Sequence, residues 1–247
     1  GSRPEARRTT MAAEQEAVSH LEAVVERQAR FVGSYAHEIR TALTAIIGYA
    51  DLLRLQKLDE GERAEAAEFI LAEGQRLERL SQLILDLVVL EGRPLRLSPA
   101  SPGTLVQGLV KRLAPLYAAD GVDLSCACEE GACLMEPDLV ASLVENLCEN
   151  ARKALGGPGE VRVTCQALAD GCRISVSDTG PGIPPEALDR LAEPFYRVEG
   201  ARPSEGGAGL GLTLCHGIAT AHKGSLSFAS EPGEGTTVIA ELHGGAA

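Results

Sequence analysis

Two asparagines and a lysine have the spacing that places side chains on one face of a helix. In the segment LVENLCENARKAL, residues 143–155, Asn146, Asn150 and Lys153 occupy positions i, i+4 and i+7. Magnesium ions prefer oxygen ligands and keep several waters, and an ammonium group attracts phosphate oxygens. The pattern therefore suits a hydrated Mg²⁺ beside a phosphate, and it is equally the pattern of a solvated helix face.

The segment VSDTGPGI, residues 176–183, combines a carboxylate with glycines. A predicted strand ends at Asp178 and runs into Gly180 and Gly182. Glycine lets the backbone approach a ligand closely, and the carboxylate can accept a hydrogen bond from the amino group of an adenine. Because the same residue types favour an ordinary turn, the segment predicts either a base-binding site or a turn.

More glycines precede an apolar helix in the segment EGGAGLGLTLCHGIA, residues 205–219. Amide groups at a helix N-terminus form an anion site, and glycines allow a phosphate to come close to them. A polar loop rather than a strand comes before these glycines, so they do not form the dinucleotide-binding fingerprint. The glycines are Gly206, Gly207, Gly209 and Gly211.

The segment EPFYRVEGARPSEGG, residues 193–207, has the composition of a flexible lid. Phe195 would dock this lid on the domain, and Arg197 is available to bind phosphate. We therefore expect the segment to close over the anion site.

A histidine and a glutamate stand side by side in a long amphipathic segment, residues 31–53. The apolar residues recur every three or four positions, and His37 is turned about 160–200° away from them, toward solvent. Thr41 follows one helical turn later on the same outer face. It stands where a zinc-binding HExxH motif requires its second histidine, so that motif is excluded. A solvated histidine and a reactive one remain as alternatives.

The composition limits the partners and the compartment. The 247 residues are 45% hydrophobic and carry a formal net charge of −12, which argues against nucleic acid as a partner. The seven cysteines are odd in number and scattered, which favours a reducing cytoplasm over a disulfide framework. Cys126, Cys128 and Cys133 lack a fourth ligand at a matching spacing, so we favour ordinary thiols over zinc.

Membrane attachment is expected only if the full-length protein is a membrane sensor with a further N-terminal segment. No apolar run approaches the roughly 20 residues of a membrane span, and no signal peptide is visible. We therefore expect the chain to be cytoplasmic.

Two long helices and an α/β sandwich are predicted to position these groups. Residues 14–56 and 62–91 have helical periodicity, and such a hairpin would dimerise into a four-helix bundle to cover its apolar faces. Residues 1–13 are interpreted as a disordered tail or tag remnant, and residues 92–102 as a linker. Beyond the linker we predict helices near 103–118, 137–155, 185–193 and 209–222, and strands near 122–128, 160–168, 172–178, 225–230 and 236–242.

Five motifs occur in order and with proper separations. They are HEIRT, the helix of Asn146 and Asn150, DTGPGI, EPFYR and GAGLGL. Together they resemble the H, N, G1, F and G2 boxes of the two-component sensor histidine kinases. The resemblance implies a multidomain α and α+β fold: a HisKA-type dimerisation and phosphotransfer hairpin over residues 14–91, then a Bergerat-type ATP-binding α/β sandwich over residues 103–245.

The resemblance implies roles for the polar residues of the hairpin. The imidazole of His37 would attack the γ-phosphate of ATP, and Glu38 would accept a proton from the imidazole. Thr41 matches the residue whose hydroxyl orients a water when the bundle removes phosphate from its partner.

In the second domain, the resemblance implies that Asn146 holds Mg²⁺ and that Asn150 and Lys153 contact the phosphates. Asp178 would bind adenine, and Thr237, in the last strand, would reach toward Asp178 and the base. The other residues implied to line the nucleotide pocket are Gly180, Gly182, Ile183, Arg197, Gly207, Gly209, Leu210, Gly211 and Leu212.

The implied activity is that of a homodimeric, ATP-dependent protein histidine kinase. The protein would phosphorylate itself on His37 and pass the phosphoryl group to an aspartate of a response regulator receiver domain, with phosphatase activity toward the same partner. Asn146 stands where the related gyrase-type ATP hydrolases carry a glutamate base, and an amide cannot act as that base. Hydrolysis of ATP is therefore expected to be slow.

Three alanines depart from the family pattern. Ala42 replaces a proline, Ala154 an aromatic residue, and Ala208 a serine or threonine. They motivate the alternative prediction of a degenerate kinase that acts as a dimeric signalling scaffold.

Overall fold

The chain, in a computed structural model, is described over residues 32–33, 35–55, 57–92, 94–188, 191 and 211–245. It divides into two compact units, Gly1–Leu77 and Glu78–Ala247. The first unit contains helix α1, residues 35–55, and the beginning of helix α2, Glu60–Gly92. The predicted tail over residues 1–13 and the predicted helix between residues 14 and 31 lie outside the described residues.

Helix α2 begins at a reciprocal cap. The side chain of Asp59 accepts a hydrogen bond from the backbone N–H of Glu62 (2.8 Å), and the side chain of Glu62 accepts one from the backbone N–H of Asp59 (2.9 Å). Two backbone donors that a helix start leaves without partners are thereby satisfied. This cap explains why the helix starts at Glu60, two residues before the predicted position.

The two helices of the first unit run antiparallel, as predicted. The ring of Tyr49 stacks on Phe69 with centroids 4.2 Å apart, and the earlier Glu38 forms an ion pair with the later Arg76. Early residues of α1 thus meet late residues of α2, which is the geometry of a helical hairpin.

A single hairpin leaves much of its apolar surface uncovered. Ala42 is only 1% exposed, whereas Leu43, Ile47 and Leu71 are 43%, 60% and 62% exposed. Leu43 belongs to the apolar stripe of residues 31–53, and the hairpin of one chain does not cover it. Two helices can each bury one side only, so the remaining apolar residues need another surface.

The second unit begins with the last turns of α2 and continues as an α/β sandwich. Its strands are β1 (Ser98–Ala100), β2 (Val122–Cys128), β3 (Cys133–Met135), β4 (Gly159–Leu168), β5 (Gly171–Asp178), β6 (Ser225–Glu231) and β7 (Gly235–Leu242). Its further helices are α3 (Pro102–Ala119), α4 (Pro137–Leu155), α5 (Pro185–Leu188) and α6 (Gly211–Ala221). Strand β1 lies inside the predicted linker, and neither β1 nor its partner β3 was predicted.

The main sheet has the strand order β2-β4-β5-β7-β6. Strands β2 and β4 are parallel, and the other neighbours are antiparallel. This mixed sheet confirms the predicted α+β class. Among the described residues, no helix combines the length and the apolar character that a membrane crossing requires.

One apolar core joins the sheet to the helices. Its fully buried members include Leu143 of α4, Ile174 of β5 and Leu214 of α6. Three leucines of the last turns of α2, Leu83, Leu87 and Leu90, pack against this core. The other face of the sheet carries hydroxyl pairs, for example Thr164 with Ser175 at 2.6 Å. The sheet is therefore covered by helices on one side only, as the alternation of apolar and polar residues along its strands requires.

A buried histidine fastens the start of α4. His222 is 1% exposed. Its Nε2 accepts a hydrogen bond from the backbone N–H of Glu136 (3.2 Å), the N-cap residue of α4, and its Nδ1 donates to the carbonyl of Ile218 (2.8 Å). Both bonds require the neutral ring with its hydrogen on Nδ1. Burial lowers the pKa of His222, and the Ile218 carbonyl and the charge of Glu136 oppose this only in part.

We predict that this histidine makes the second unit less stable in acid. Because its pKa is lower in the folded protein than the ordinary value of 6.5, the unfolded chain binds the proton more readily, and the free energy of unfolding falls as the pH drops below about 6.5. The replacement His222→Phe should lower the free energy of unfolding by about 1–3 kcal/mol at pH 8, since the hydrogen bond between the Glu136 N–H and the ring is lost. It should also reduce the further fall in that free energy between pH 8 and pH 5. Urea unfolding at both pH values measures this.

His216→Phe, at an exposed position of the neighbouring α6, is the control and should keep the wild-type pH dependence. An unchanged pH dependence in His222→Phe would show that another group is responsible.

Candidate functional site

Helix α4 presents two amides, Asn146 and Asn150, beside its buried face and next to the start of α6. Leu143, Leu147 and Ala151 of this helix are at most 5% exposed, whereas Asn146 and Asn150 are partly exposed. The Nδ2 group of Asn146 donates to the carbonyl of Ser142 (2.8 Å). Its oxygen Oδ1 is thereby the atom left to face a ligand.

The first residue of α6 packs directly against these amides. A methyl group added at Gly211 would lie 3.1 Å from Asn146 Oδ1 and 3.6 Å from Asn150 Nδ2. The structure therefore brings together three residues that the sequence analysis assigned to one pocket. Leu212, the next residue, packs against the core.

Asp178 ends β5 and shapes the turn that follows. Its Oδ1 accepts a hydrogen bond from the backbone N–H of Gly180 at 2.8 Å. A methyl group at Gly180 would lie 2.7 Å from the same oxygen and 3.5 Å from the carbonyl of Ala154, so the turn lies against the end of α4. Burial raises the pKa of Asp178, and the N–H groups of Gly180 and Thr236 oppose the rise.

The turn is held from its other side by the β6–β7 hairpin. Gly182 has φ +71° and stands so close that a methyl group there would lie 2.1 Å from the carbonyl oxygen of Glu231. The N–H of Gly233 donates to the carbonyl of Pro181 (2.7 Å), and the N–H of Ile183 donates to Ser230 Oγ (2.8 Å). These contacts give the turn one defined position.

The predicted role of Thr237 beside Asp178 is wrong by one residue. The residue of β7 that pairs with Asp178 is Thr236, which is 7% exposed. Thr237 lies on the opposite face of the sheet, where its Oγ1 is 2.8 Å from Ser177 Oγ. Successive residues of a strand point to opposite faces, so only Thr236 faces the side of Asp178. The sequence GTT contains both threonines, and only the strand register distinguishes them.

Lys153 is held by an acidic neighbour on its own helix. Its Nζ lies 3.3 Å from Glu149 Oε1, and Arg152 also binds Glu149 (2.9 Å). Burial raises the pKa of Glu149, but the hydrogen bond from Arg152 and the charges of Lys153 and Arg152 outweigh it, so that the pKa is lowered overall. The ammonium of Lys153 is thus placed by an ionised carboxylate at the end of α4.

Four of the predicted pocket residues, Arg197, Gly207, Gly209 and Leu210, lie outside the described residues, as does Ala208. The described remainder of the pocket follows one face of α4. Asn146, Asn150 and Ala154 are four residues apart and span about 12 Å along the helix. Gly211 lies at one end of this row and the Asp178 turn at the other.

This row fits an elongated ligand with an anionic end and a hydrogen-bonding end. The amide oxygens are of the type that Mg²⁺ prefers, and a side chain at Gly211 would press on the amide of Asn146 at the helix start. The Asp178 carboxylate, at the other end, accepts hydrogen bonds in its ionised form.

A second group of predicted residues lies in the first unit. His37 is exposed on α1, and the hydroxyl of Thr41 donates to the backbone carbonyl of His37 at 3.0 Å. Glu38 accepts a hydrogen bond from Arg76, which also lies 3.3 Å from Glu73. Sequence reasoning missed Arg76 because only the packing of the hairpin brings it to Glu38. The phosphatase role of Thr41 stays a prediction.

Within the described residues, no group of three or more His, Cys, Asp or Glu side chains is arranged to hold a metal ion. The seven cysteines are free thiols.

The sequence matches two family models. Residues 27–93 match the His Kinase A (phospho-acceptor) domain. Residues 135–245 match the histidine kinase-, DNA gyrase B- and HSP90-like ATPase. The first match contains the exposed His37, and the second contains the α4 face and the Asp178 turn.

Two of the relatives that match most of this chain are named as a histidine protein kinase and a sensor protein kinase. Histidine protein kinase DivJ of Caulobacter vibrioides is 34% identical over 227 residues, which are 90% of this chain and 38% of that protein. Sensor protein kinase FleS of Pseudomonas aeruginosa is 36% identical over 210 residues, 84% of this chain and 50% of that protein. The chain thus spans at most half the length of these two relatives.

Solved structures share the fold. Full-length ShkA in complex with AMPPNP has a TM-score of 0.62 and 26% identity, over 85% of this chain and 45% of that one. Histidine kinase ThkA in complex with the response regulator protein TrrA has a TM-score of 0.69 and 21% identity, over 95% of this chain and 66% of that one. Both likenesses confirm the helical region followed by a mixed α/β domain.

Proposed function

Because the chain belongs to the two-component sensor histidine kinases, we propose that it is an ATP-dependent protein histidine kinase that phosphorylates its own His37. The observation that carries the proposal is the row along α4, in which Asn146 and Asn150 meet Gly211 while the Asp178 turn closes the other end. That row supports a nucleotide with its phosphates toward α6 and its base toward β5.

Each pocket residue has a proposed partner on ATP. Asp178 accepts a hydrogen bond from the amino group of adenine, with Gly180, Gly182 and Ile183 shaping the turn beside it. Lys153 and Asn150 bind phosphate oxygens. The remaining phosphate-side residues, in the same proposal, are Arg197, Gly207, Gly209, Leu210, Gly211 and Leu212. The complex of the related ShkA with AMPPNP supports a nucleotide in this domain.

Mg²⁺ is proposed to bind at Asn146. The amide nitrogen of this residue is engaged by Ser142, so Asn146 offers its oxygen to the ligand. When bound, the ion neutralises charge on the phosphate oxygens. Asn146 also takes the place of a glutamate base, and its amide cannot activate a water as that base does.

The proposed transfer uses His37 as the nucleophile. A ring nitrogen forms a bond to the γ-phosphorus, the bond between that phosphorus and the bridging oxygen breaks, and ADP leaves. The proton lost from the imidazole passes to Glu38. Arg76 holds the Glu38 carboxylate on the hairpin. The phosphoryl group then passes from His37 to an aspartate of a response regulator receiver domain, which we propose as the partner.

We expect His37→Ala to abolish labelling of the protein by ATP labelled in the γ-phosphate. Wild type should acquire acid-labile, base-stable phosphate, because phosphoryl groups on imidazole nitrogen have that stability. His216→Ala removes an exposed histidine from α6 and should be labelled like wild type. Labelled His37→Ala protein would refute the assignment of the acceptor.

The scaffold alternative gives a different result in the same experiment. A degenerate kinase leaves wild type without label, and calorimetry with Mg-ATP at millimolar concentration then gives no heat.

We expect Asn146→Ala to raise the Mg²⁺ concentration needed for half-maximal labelling by about tenfold, since a ligand to the ion is lost. Asn150→Ala, one turn further along the same face, should weaken ATP binding with a smaller change in the Mg²⁺ requirement. Labelling titrated with Mg²⁺ at saturating ATP measures both. A larger increase in the Mg²⁺ requirement for Asn150→Ala than for Asn146→Ala would indicate that Asn150, and not Asn146, is the metal ligand.

The proposed kinase is a homodimer through the helical hairpin, because Leu43, Ile47 and Leu71 are exposed and apolar. Sedimentation equilibrium should give twice the chain mass of 25.9 kDa. Ile47→Glu should shift the protein toward monomer, whereas Leu116→Glu, at a 65% exposed leucine of α3, should not. A monomeric wild type would contradict the proposal.

A further inference from the structure

The hydroxyl of Ser230 lies where three polar groups of the base-binding end meet. It accepts a hydrogen bond from the backbone N–H of Ile183 (2.8 Å) and donates to the carbonyl of Gly235 (2.7 Å). Its Oγ also lies 3.0 Å from Thr236 Oγ1. Ser230 is half-buried in β6, and none of the sequence motifs includes it.

The three contacts determine which group receives the hydroxyl hydrogen of Thr236. A serine hydroxyl has one hydrogen and two lone pairs. The Gly235 carbonyl can only accept, so it takes the Ser230 hydrogen, and the Ile183 N–H can only donate, so it occupies one lone pair. Ser230 therefore has only its second lone pair available for the contact with Thr236. Thr236 must therefore donate its only hydroxyl hydrogen to Ser230.

Thr236 then has only lone pairs to offer to a ligand. Strand pairing places Ser230, Thr236 and Asp178 in one row across β6, β7 and β5 on the same face of the sheet. Ionised Asp178 is also an acceptor without a hydrogen. Within this row, the wall of the pocket near Asp178 therefore presents acceptors.

We propose that Ser230 is a positioning residue for base selection, which acts by holding the Thr236 hydroxyl hydrogen away from the base. An acceptor-only wall binds the amino group at C6 of adenine and disfavours the carbonyl at C6 of a 6-oxopurine, since two acceptors facing each other leave a polar group unpaired. The inference rests on the proposed nucleotide site and adds to it the means by which the base is chosen.

A purely structural role of Ser230 predicts something different. The same hydroxyl holds Ile183 and the hairpin, so its loss loosens the turn. A looser turn weakens the binding of ATP and the binding of its 6-oxo counterpart, inosine triphosphate, to the same extent. A selection role changes the ratio of their dissociation constants.

The experiment compares Mg-ATP and Mg-inosine triphosphate by calorimetry on wild type and on Ser230→Ala. Without Ser230 the Thr236 hydroxyl can rotate and donate to the C6 carbonyl. The preference for ATP should therefore fall about fivefold, the worth of one neutral hydrogen bond. Ser227→Ala, an exposed serine of the same strand, should keep the wild-type ratio.

A double-mutant cycle with Thr236→Val tests whether Ser230 acts through Thr236. In the Thr236→Val background, Ser230→Ala should leave the ratio unchanged. A ratio that Ser230→Ala does not alter in the wild-type background, or alters equally in both backgrounds, overturns the inference.

Thr236→Val keeps the test valid even if Ser230→Ala does not fold. It should lower the preference for ATP about fivefold by removing the acceptor, whereas Thr237→Val, on the other face of the sheet, should not. An unchanged ratio in Thr236→Val also overturns the inference. If the wild type binds neither nucleotide, the proposed function itself is refuted. If the wild type binds both, and the variants keep its ratio of dissociation constants, only the role of Ser230 is refuted.

Discussion

The packing of one face of α4 is the contact on which the candidate site depends. Leu143, Leu147 and Ala151 are buried under the sheet, and they determine the rotation of the helix about its axis. Asn146 and Asn150 must then face Gly211. A rotation by one residue, about 100°, would bury an amide without a partner at a cost of about 1–3 kcal/mol. The apolar core thus orients the polar face, although it touches no ligand.

At the other end of the site, close contacts between backbone segments determine the position of the Asp178 turn. Gly182 meets the carbonyl of Glu231, and a methyl group at Gly235 would lie 1.9 Å from the carbonyl oxygen of Asp178. Such contacts tolerate no Cβ atom, so the turn and the β6–β7 hairpin hold each other in one arrangement. The hydroxyl of Ser230 joins them with directional hydrogen bonds. Such a frame is suited to the base recognition that we propose for this end of the site.

In the first unit, contacts between two helices leave the proposed phosphate acceptor, His37, exposed. The stack of Tyr49 on Phe69 and the pair of Glu38 with Arg76 join its two helices, while His37 stays exposed. Ala42 is almost fully buried on the same hairpin. The apolar residues left exposed on the hairpin are the part of its surface that one chain cannot cover.

The amino-acid sequence by itself determined the features that depend on local periodicity. These are the helical hairpin, the five-stranded mixed sheet with its helices, the exposure of His37, and the common face of Asn146 and Asn150. The tertiary structure alone decided which residues meet across distance. Strand register placed Thr236 rather than Thr237 beside Asp178, hairpin packing brought Arg76 to Glu38, and folding brought His222 to the start of α4. The physical reason is that side-chain periodicity follows from the backbone within one element, whereas register and packing are set by the partner element.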